Sequence, residues 1–570
     1  MGCVLRVLTW RRMIFTGMVL CVLFLYLPWG YIFRTGAVIP EFAGWALMGI
    51  LFLLMACSSR VALHFPPLML AGVLLLALPV FWMPSHAEHW SAVCRVLAML
   101  GGSVLLARAA AVSLTGARAA YLGWMVVLVA LVCSLAVFLQ VFLPQGYAHW
   151  LQLPTDGRPS GAFRQVNVMA SFLATALSVL LWFSLSHGGR RELFLLFVLM
   201  FALMLCQSTT GFLGAGLVFI LMTVCAAPRL RLRLVWAALA LAAGILAGWL
   251  TLKYHGHGLV SHELSRQVRM WTWEATVALI RQHPLTGIGY GMFEGSFPSG
   301  LALAGLTGSW TVGNIMPHPH NEVLYWVSEG GLPAMLGMLL LAAWGVRLFI
   351  RLWTNASQRG GLGLGGTDAL AWGLCLVPVL LHTQTEYPWY ESPLHYLLVI
   401  LFAGMALSRL SDGKVMSLAD GRALVFRGFS ALAGVGIVVW SLTGTWVAVG
   451  IDHARQTMAR DVSTLADATR YNPWFMPDAA GFAMMLHSLQ TFNSTHDLTL
   501  LPPAEDFLRD YLIRHPDPNV YSMYITALHF QGKTVEAERV YEEGQKRVPW
   551  DSRFTPDAPV KDTDSSATAH

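Results

Sequence analysis

The chain has 570 residues, of which 56% are hydrophobic and only 12% are charged. Soluble globular domains carry about 25% charged residues, so this composition excludes a soluble enzyme and indicates an integral membrane protein. The net charge of +6 does not indicate nucleic-acid binding, because the arginines lie in short loops between apolar runs, where basic residues set the orientation of a membrane protein.

Apolar runs of about 20 residues recur along the chain and predict an all-α polytopic membrane protein with about 13 transmembrane helices, in a range of 12 to 14. The predicted spans are 13–33, 37–57, 64–83, 90–107, 120–143, 167–186, 193–206, 211–227, 234–252, 321–346, 369–382, 393–408 and 428–450. Alternate loops hold the basic residues and are therefore expected to face the cytoplasm, as is the N-terminus. An odd number of spans places the C-terminal segment on the opposite, outer face. The first span lacks the small-residue cleavage site of a signal peptide, so we expect a retained helix.

The eight cysteines do not follow a pattern typical of disulfides or metal sites. Seven lie within or at the ends of apolar spans, and Cys3 lies at the N-terminus. This distribution argues against a disulfide framework, a thiolate metal site and a redox motif.

Three segments on the outer face are longer than simple turns: 144–166, 253–320 and 382–393. Long connections are uncommon in compact proteins and are often functional. In the second segment, SRQVRMWTWEATVALIRQHP predicts an amphipathic helix that ends before Pro284, and LTGIGYGMF predicts a flexible stretch after it. Because all three segments reach the same face, we expect a functional site there.

The composition changes abruptly after residue 450. Residues 451–570 hold 17 of the 31 acidic residues and contain no apolar span, which predicts a soluble domain after a membrane domain of residues 1–450. AEDFLRDYLIRHP and AERVYEEGQKRVP share the pattern Ala-x3-apolar-x7-Pro at an offset of 33 residues. The period of tetratricopeptide (TPR) helical hairpins is about 34 residues, so we predict a TPR-like helical domain over 451–556. Residues 557–570 are predicted to be disordered.

The densest polar cluster is PHPHNEVLYWVSEGG, at residues 317–331. His320 has two possible roles that the residue types leave open: a general base beside Glu322, or a cap of the helix that begins near Asn321. His318 and His320 are two residues apart, whereas helical metal pairs use a spacing of three or four. No acidic or cysteine cluster completes a ligand set, so we predict no metal site.

Several arginines lie on the outer face, where the topology rule expects few. Arg266 and Arg269 fall on the amphipathic helix, with Arg269 one turn before Trp273, and Arg164 falls in the first outer segment. They either anchor lipid headgroups or form a clamp for phosphate or pyrophosphate, a geometry that guanidinium groups suit. We predict a clamp for one or two of them and headgroup contacts for the rest.

Two further polar groups have alternative interpretations. Glu386 and Tyr387 lie in HTQTEYPWYESP, whose aromatic residues are equally typical of an interfacial belt. Gln165 and Asn167 lie at the start of a span, where they would act either as helix caps or as hydrogen-bonding groups for a sugar or an attacking hydroxyl.

Four motifs, in chain order, carry a resemblance to a known family: GRPSGAFRQVNVMASFL, RMWTWEATVALIRQHPLTGIGYGMF, HPHNEVLYWVSEGGLPAML and HTQTEYPWYESPLHYLL. Together they resemble the O-antigen ligase and polymerase superfamily of bacterial membrane glycosyltransferases. More narrowly, EYPWY and the C-terminal helical domain are similar to the protein O-oligosaccharyltransferases (PglL-type) that glycosylate pilins and other exported proteins. The resemblance covers roughly residues 60–450.

This resemblance implies a bacterial inner-membrane enzyme whose site and C-terminal domain face the periplasm. It would transfer a preassembled glycan from undecaprenyl pyrophosphate to a Ser or Thr hydroxyl, with inversion and without a metal or other cofactor. By motif position, His320 corresponds to the essential histidine, Gln165 to the loop glutamine, Tyr387 to the aromatic partner and Arg269 to the Arg-x3-Trp position. The family usually reads Gln-Pro-Asn at the first motif, whereas this chain has Gln-Val-Asn.

The residues and the resemblance lead to one mechanistic hypothesis. Arg269 neutralises the leaving pyrophosphate, His320 accepts or orients the proton of the acceptor hydroxyl, and Gln165 and Tyr387 position the substrates. The remaining groups expected to line the substrate site are Arg164, Arg266, Asn167, His318, Asn321, Glu386 and Trp273.

Other functions stay open in the sequence. The same chemistry would serve a ligase onto lipid A core sugars or a glycan polymerase, and the C-terminal domain favours a protein acceptor over both. A transporter or flippase is less favoured, because Arg95 is one of very few charges inside a span and no internal duplication is visible. A scaffold function leaves the polar motifs of the outer face unexplained.

Overall fold

The structure is a computed structural model that describes residues 39–58, 61–87, 89–112, 116–143, 158–163, 165–254, 263–310, 312–362, 368–410 and 416–555. The predicted first span, residue 164 and the predicted disordered tail lie outside these ranges. The described chain is almost wholly helical; its two strands, β1 (Ala62–Leu63) and β2 (Met416–Ser417), form a single short antiparallel pair.

The membrane domain is built from apolar helices. Its first eight are α1 (Ile39–Ala56), α2 (Pro67–Ala77), α3 (His89–Ala111), α4 (Gly116–Phe142), α5 (Val166–His187), α6 (Arg190–Cys206), α7 (Thr209–Cys225) and α8 (Arg231–Tyr254). After them come α9 (Glu263–Gln282), α10 (Phe293–Leu303), α11 (Glu322–Gln358), α12 (Asp368–Leu374), α13 (Val377–His382), α14 (Pro388–Glu391), α15 (Pro393–Ser408) and α16 (Asp420–Gln456). Six helices of the described chain are long and apolar enough to cross a membrane, and several others are apolar but shorter. An all-α, multi-pass membrane protein is therefore confirmed, while the number of spans stays a prediction.

Helix α5 lies at the centre of the membrane domain, and its residues 168–185 are all buried. It packs against α4, α6, α7 and α13. A helix that is apolar on all its faces is expected to be surrounded by other helices in this way. The few polar side chains of α5, including Ser171, are therefore tightly packed among neighbouring side chains.

Helix α11 differs from the predicted span 321–346 because it continues to Gln358 and is broken near its start. Gly331 has φ +60°, and a Cβ atom there would lie 2.5 Å from the carbonyl oxygen of Leu285 and from the amide nitrogen of Gly287. The backbone of 285–289 runs alongside the break: the N–H groups of Ile288 and Gly289 donate to the carbonyls at 328 and 329, at 3.0 and 2.9 Å.

The stretch LTGIGYGMF is packed, so the prediction of a flexible segment was wrong. Its glycines at 287, 289 and 291 adopt positive φ, which lets the chain turn against α11. Tyr290 is fully buried, and its hydroxyl donates to the carbonyl of Leu76 at 2.6 Å. The glycines that suggested mobility instead permit a close backbone approach.

The C-terminal part of the chain is a set of shorter helices. They are α17 (Ser463–Tyr471), α18 (Pro477–Thr495), α19 (Leu501–Arg514), α20 (Pro518–Phe530) and α21 (Thr534–Arg547). The two similar sequence segments fall on α19 and α21, which both pack against α20. The domain boundaries and the TPR-like assignment stay predictions.

Candidate active site

Two loops bring the polar motifs together: residues 317–321 before α11, and residues 383–387 after α13. The N–H of Glu322 donates to the carbonyl of Thr383 at 2.8 Å, and Asn321 Nδ2 donates to the carbonyl of Gln384 at 3.1 Å. Asn321 is also the N-cap of α11, since its Oδ1 accepts from the N–H of Leu324 at 3.0 Å. The alternative that His320 caps this helix is therefore wrong.

His320 pairs with Glu386, whose Oε2 lies 2.6 Å from His320 Nδ1. Burial would raise the pKa of Glu386, but the hydrogen bond and charge of His320, together with the Arg269 guanidinium, lower it to about 2. An ionised carboxylate only accepts hydrogen bonds, so Nδ1 of His320 carries a hydrogen, and in the neutral ring Nε2 carries the lone pair. Nε2 has no hydrogen-bond partner among the described residues.

The carboxylate next to His320 in the sequence is not its partner. Glu322 Oε1 accepts from Trp326 Nε1 at 2.8 Å and from the Tyr390 hydroxyl at 3.1 Å. The expected pairing of His320 with Glu322 is therefore wrong. Glu322 is the first residue of α11, and its side chain lies against Trp326 one turn further along the helix. His320 belongs to the loop before the helix, so the two side chains lie apart.

Arg269 reaches the same carboxylate from α9, with its Nη2 at 2.7 Å from Glu386 Oε1. Its side chain is 25% exposed, and its Nε has no hydrogen-bond partner among the described residues. One turn further on, Trp273 Nε1 donates to the carbonyl of Pro319 at 2.9 Å, which ties α9 to the histidine loop. The arrangement places the Arg269 guanidinium and the His320 ring on the two oxygens of one carboxylate.

His318 and Tyr387 pack against each other beside His320. The His318 ring packs against the Tyr387 ring with 3.3 Å between centroids, and its Nδ1 accepts from the N–H of His320 at 3.2 Å. Burial and the neighbouring charges of His320 and Arg269 lower the pKa of His318 to about 2, against the opposing effect of Glu386. His320 itself has φ +53°, a conformation that costs energy for a residue with a side chain and is often found at functional sites.

The other predicted site residues are not in this hydrogen-bonded cluster. Arg266 forms an exposed ion pair with Glu263 on the surface of α9, which is typical of a solvated helix face. Asn167 Oδ1 accepts from the Ser208 hydroxyl at 2.8 Å. Gln165 precedes α5 and makes no side-chain cap, and its Oε1 is buried without a hydrogen-bond partner among the described residues. Arg164 lies outside the described chain.

His318, His320 and Glu386 offer ligand atoms that all lie within 4.8 Å of one another, so their fit to a metal ion can be tested. Both oxygens of Glu386 already accept hydrogen bonds, from His320 and from Arg269. A divalent cation would have to displace a guanidinium group and would be repelled by its charge. The residues present therefore fit a metal poorly, and a metal-free site stays the prediction.

A second buried network, which the sequence did not reveal as such, supports α11. Arg95 of α3 pairs with Glu329 at 2.5 Å, and its guanidinium lies 4.6 to 4.8 Å from the ring centroids of Tyr290, Tyr325 and Trp326. Glu329 Oε1 accepts from the three backbone N–H groups of residues 291–293 at the start of α10, at 3.0 to 3.1 Å. A charge inside a span was the only sequence signal for this network.

Two family models match parts of this chain. Residues 193–339 match the family model described as O-antigen ligase, and residues 369–556 match that described as virulence factor membrane-bound polymerase, C-terminal. Arg269 and His320 fall within the first match, and Glu386 and Tyr387 within the second. The two matches support the O-antigen ligase and polymerase superfamily and a membrane glycosyl-transfer or ligase-type function. No curated protein matches the chain.

Proposed function

We propose that the protein transfers a preassembled oligosaccharide from undecaprenyl pyrophosphate to Ser or Thr hydroxyls of exported proteins such as pilins. The reaction takes place at the periplasmic face of the bacterial inner membrane. The observation that carries this proposal is the convergence of His320 and Arg269 on the two oxygens of Glu386. A base and a cation held by one carboxylate are the two groups that a displacement at an anomeric carbon needs.

His320 is the catalytic base in this reaction. Nδ1–H donates to Glu386, and Nε2 accepts the proton of the acceptor hydroxyl as its oxygen forms a bond to the anomeric carbon. Glu386 touches neither substrate; it is a positioning residue that fixes the tautomer of His320 and stabilises the imidazolium, as the aspartate of a serine protease triad does.

Arg269 acts on the leaving group. As the bond between the anomeric carbon and the phosphate oxygen breaks, negative charge develops on undecaprenyl pyrophosphate, and the guanidinium neutralises it. Direct displacement by the hydroxyl oxygen inverts the anomeric centre. No divalent cation is needed in this scheme, because Arg269 supplies the positive charge.

The other predicted residues position substrates. Tyr387 packs beside the histidines and offers an aromatic face to a sugar or peptide. The buried, unpaired Oε1 of Gln165 is an acceptor that a sugar hydroxyl would satisfy. Asn167, His318, Asn321, Trp273, Arg164 and Arg266 are assigned to substrate binding or its support.

The second candidate differs only in the acceptor: ligation to lipid A core sugars, or polymerisation of repeat units. The descriptions of the two matched families favour it. The helical C-terminal domain favours a protein acceptor, since it packs beside the segment that leads into the histidine loop and is large enough to bind an exported polypeptide.

The test compares the wild type with His320→Ala in a ligase-deficient host that expresses a pilin-like acceptor and a lipid-linked glycan. His529→Ala is the matched control, because this histidine is exposed on the C-terminal domain. Gel mobility and intact mass of the acceptor measure transfer at equal membrane levels. We expect modification by the wild type and the control, and none by His320→Ala.

The other outcomes are equally informative. Modification by all three proteins would remove His320 from the chemistry. Lengthening of the lipid-linked glycan, or its appearance on lipid A without protein modification, would replace the protein acceptor by the second candidate.

A further inference from the structure

The loop that carries Glu386 and Tyr387 has a histidine at each end. His382 is the last residue of α13, and His395 lies in the first turn of α15. Their rings meet at one hydroxyl: Ser171 Oγ of α5 lies 2.8 Å from His382 Nδ1 and 2.8 Å from His395 Nε2. All three side chains are fully buried.

The geometry limits the hydrogen atoms of this cluster. Ser171 Oγ also lies 3.1 Å from the carbonyl of Val168. The hydroxyl has a single hydrogen, so at least one of the two rings must donate to the serine oxygen. The second nitrogen of each ring, His382 Nε2 and His395 Nδ1, is buried without a hydrogen-bond partner among the described residues.

The cluster contacts two aromatic rings on one side and the loop that carries Glu386 on the other. The edge of the His395 ring meets the rings of Phe163 and Phe172 at centroid distances of 5.9 and 6.1 Å. On the loop side, the carbonyl of His382 accepts the N–H of Glu386 at 2.9 Å. His382 therefore contacts Ser171 through its ring and Glu386 through its backbone carbonyl.

We propose that Ser171, His382 and His395 are positioning residues that join the two ends of the loop 383–392 and so fix Glu386 against His320. This inference rests on the proposed function of that site. Three polar side chains in the interior of a membrane protein cost free energy that leucine or phenylalanine would not, and such groups usually have a function. Apolar packing tolerates small shifts of the loop, whereas hydrogen bonds to one oxygen hold both ends at a set distance.

Ser171→Ala is the first test, and Ser178→Ala is its matched control. Ser178 lies two turns further along α5, is also buried, and donates only to the carbonyl of Ala174. We expect Ser171→Ala to lower kcat of glycan transfer by roughly tenfold to a hundredfold, with the acceptor KM changed by less than about threefold. Ser178→Ala is expected to leave both close to wild type.

Amide substitutions separate positioning by hydrogen bonds from simple packing. Asn places its terminal amide near the position of a histidine Nδ1, and Gln places it near Nε2. His382→Asn and His395→Gln therefore keep a hydrogen bond to Ser171 and are expected to retain most activity. His382→Gln and His395→Asn lose it and are expected to resemble Ser171→Ala.

Hydrogen exchange of the loop in lipid nanodiscs gives a readout that does not depend on the acceptor. We expect faster exchange of the amides at 384–387 in Ser171→Ala than in Ser178→Ala and wild type. Unchanged exchange in Ser171→Ala, equal activity of the two amide variants at either histidine, or faster exchange without loss of kcat would each overturn the proposal.

Failure of the proposed function has a different signature. If the wild type modifies lipid A or lengthens glycan instead of modifying protein, the acceptor assignment fails. The same variants are then measured on the reaction that the wild type does perform, with the same expected pattern.

Discussion

Glu386 binds both His320 and Arg269 through its two carboxylate oxygens, so its substitution is the most direct test of the pairing with His320. Glu386→Gln removes the negative charge that orients His320 Nδ1–H and holds Arg269 in place. We expect transfer to fall by roughly a hundredfold or more, chiefly in kcat, because the wrong tautomer of a catalytic histidine is a poor base. Steady-state kinetics with a purified acceptor peptide measure this change.

Glu391→Gln is the control for that experiment. It lies five residues further along the same loop, and its carboxylate forms no ion pair or hydrogen bond with the described residues. It is expected to retain activity within about twofold. Activity of Glu386→Gln at the wild-type level would contradict the role of Glu386.

The same two hydrogen bonds predict how the enzyme responds to chelators. Glu386 is already occupied by a guanidinium and an imidazole, so EDTA is expected to leave the transfer rate unchanged. The measurement is the initial rate after dialysis against EDTA, with and without added Mg²⁺ or Mn²⁺. Loss of activity on chelation, with recovery on adding a divalent cation, would show that His318, His320 and Glu386 bind a metal after all.

At the scale of single residues, the sequence predicted the polar residues of the site better than it predicted which of them pair with each other. His320, Arg269 and Glu386 stand out as polar groups in otherwise apolar surroundings. The pairing of His320 with Glu386 spans 66 residues, and no local pattern specifies it. Proximity in sequence instead favoured Glu322, which the first turn of α11 carries towards Trp326 and Tyr390.

At the scale of elements, apolar run length predicted most helices of the membrane domain, because a lipid environment leaves few alternatives to a helix. It did not predict where α11 ends or that α11 is broken at Gly331. The end at Gln358 lies beyond the apolar region, and the break depends on a tertiary contact with 285–289. The glycine-rich stretch was misjudged for the same reason, since positive φ serves close packing as well as mobility.

The break in α11 gives a stability prediction. Gly331→Ala places a Cβ at positive φ and within 2.5 Å of two backbone atoms, so we expect a loss of roughly 2 to 4 kcal/mol. Gly345→Ala is the control on the same helix: a Cβ there meets nothing within 4 Å. Apparent unfolding temperatures of the purified proteins, measured by fluorescence in one detergent, compare the two.

The control is expected to be neutral or slightly more stable, since Ala favours a helix over Gly by about 1 kcal/mol. Equal unfolding temperatures for the two variants would show that the backbone contact at Gly331 contributes little.

At the scale of the whole molecule, the C-terminal helices are fastened to the membrane domain by polar contacts. His515 Nδ1 lies 2.9 Å from Glu294 of α10. Within the C-terminal helices, Asp478 of α18 supports His515 at 2.9 Å and accepts two hydrogen bonds from Arg514. Nearby, Trp550 Nε1 donates to the carbonyl of Gly313, in the segment that leads to the histidine loop. Composition predicted a separate domain here, but contacts between residues more than 200 positions apart are beyond any local sequence pattern.

This interface is expected to depend on pH through His515. Burial would lower the pKa of His515, but hydrogen bonds to Asp478 and Glu294 raise it to about 10, from an ordinary value of 6.5. The contact with Glu294 crosses the interface, and its contribution is complete below pH 6.5 and is lost as pH rises through 10. Asp478 acts within the C-terminal helices: burial would raise its pKa, but His515 and Arg514 lower it to about 2, from 3.8, so it stabilises these helices above pH 3.8 and this effect is lost as pH falls through 2.

Docking should consequently loosen as pH rises from 6.5 towards 10. Distances between spin labels at exposed positions of α10 and α19, measured in nanodiscs at pH 6 and pH 9.5, report the change. We expect a broader distribution at pH 9.5 in the wild type. In His515→Gln, which has no proton to lose, the distribution should be the same at both pH values. Two other hydrogen bonds cross the interface: Arg514 Nη1 donates to the carbonyl of His86 at 3.1 Å, and Arg547 Nη2 donates to the carbonyl of Gly295 at 2.7 Å. A wild-type distribution that does not change with pH would mean that these bonds and the apolar contacts hold the C-terminal helices without His515.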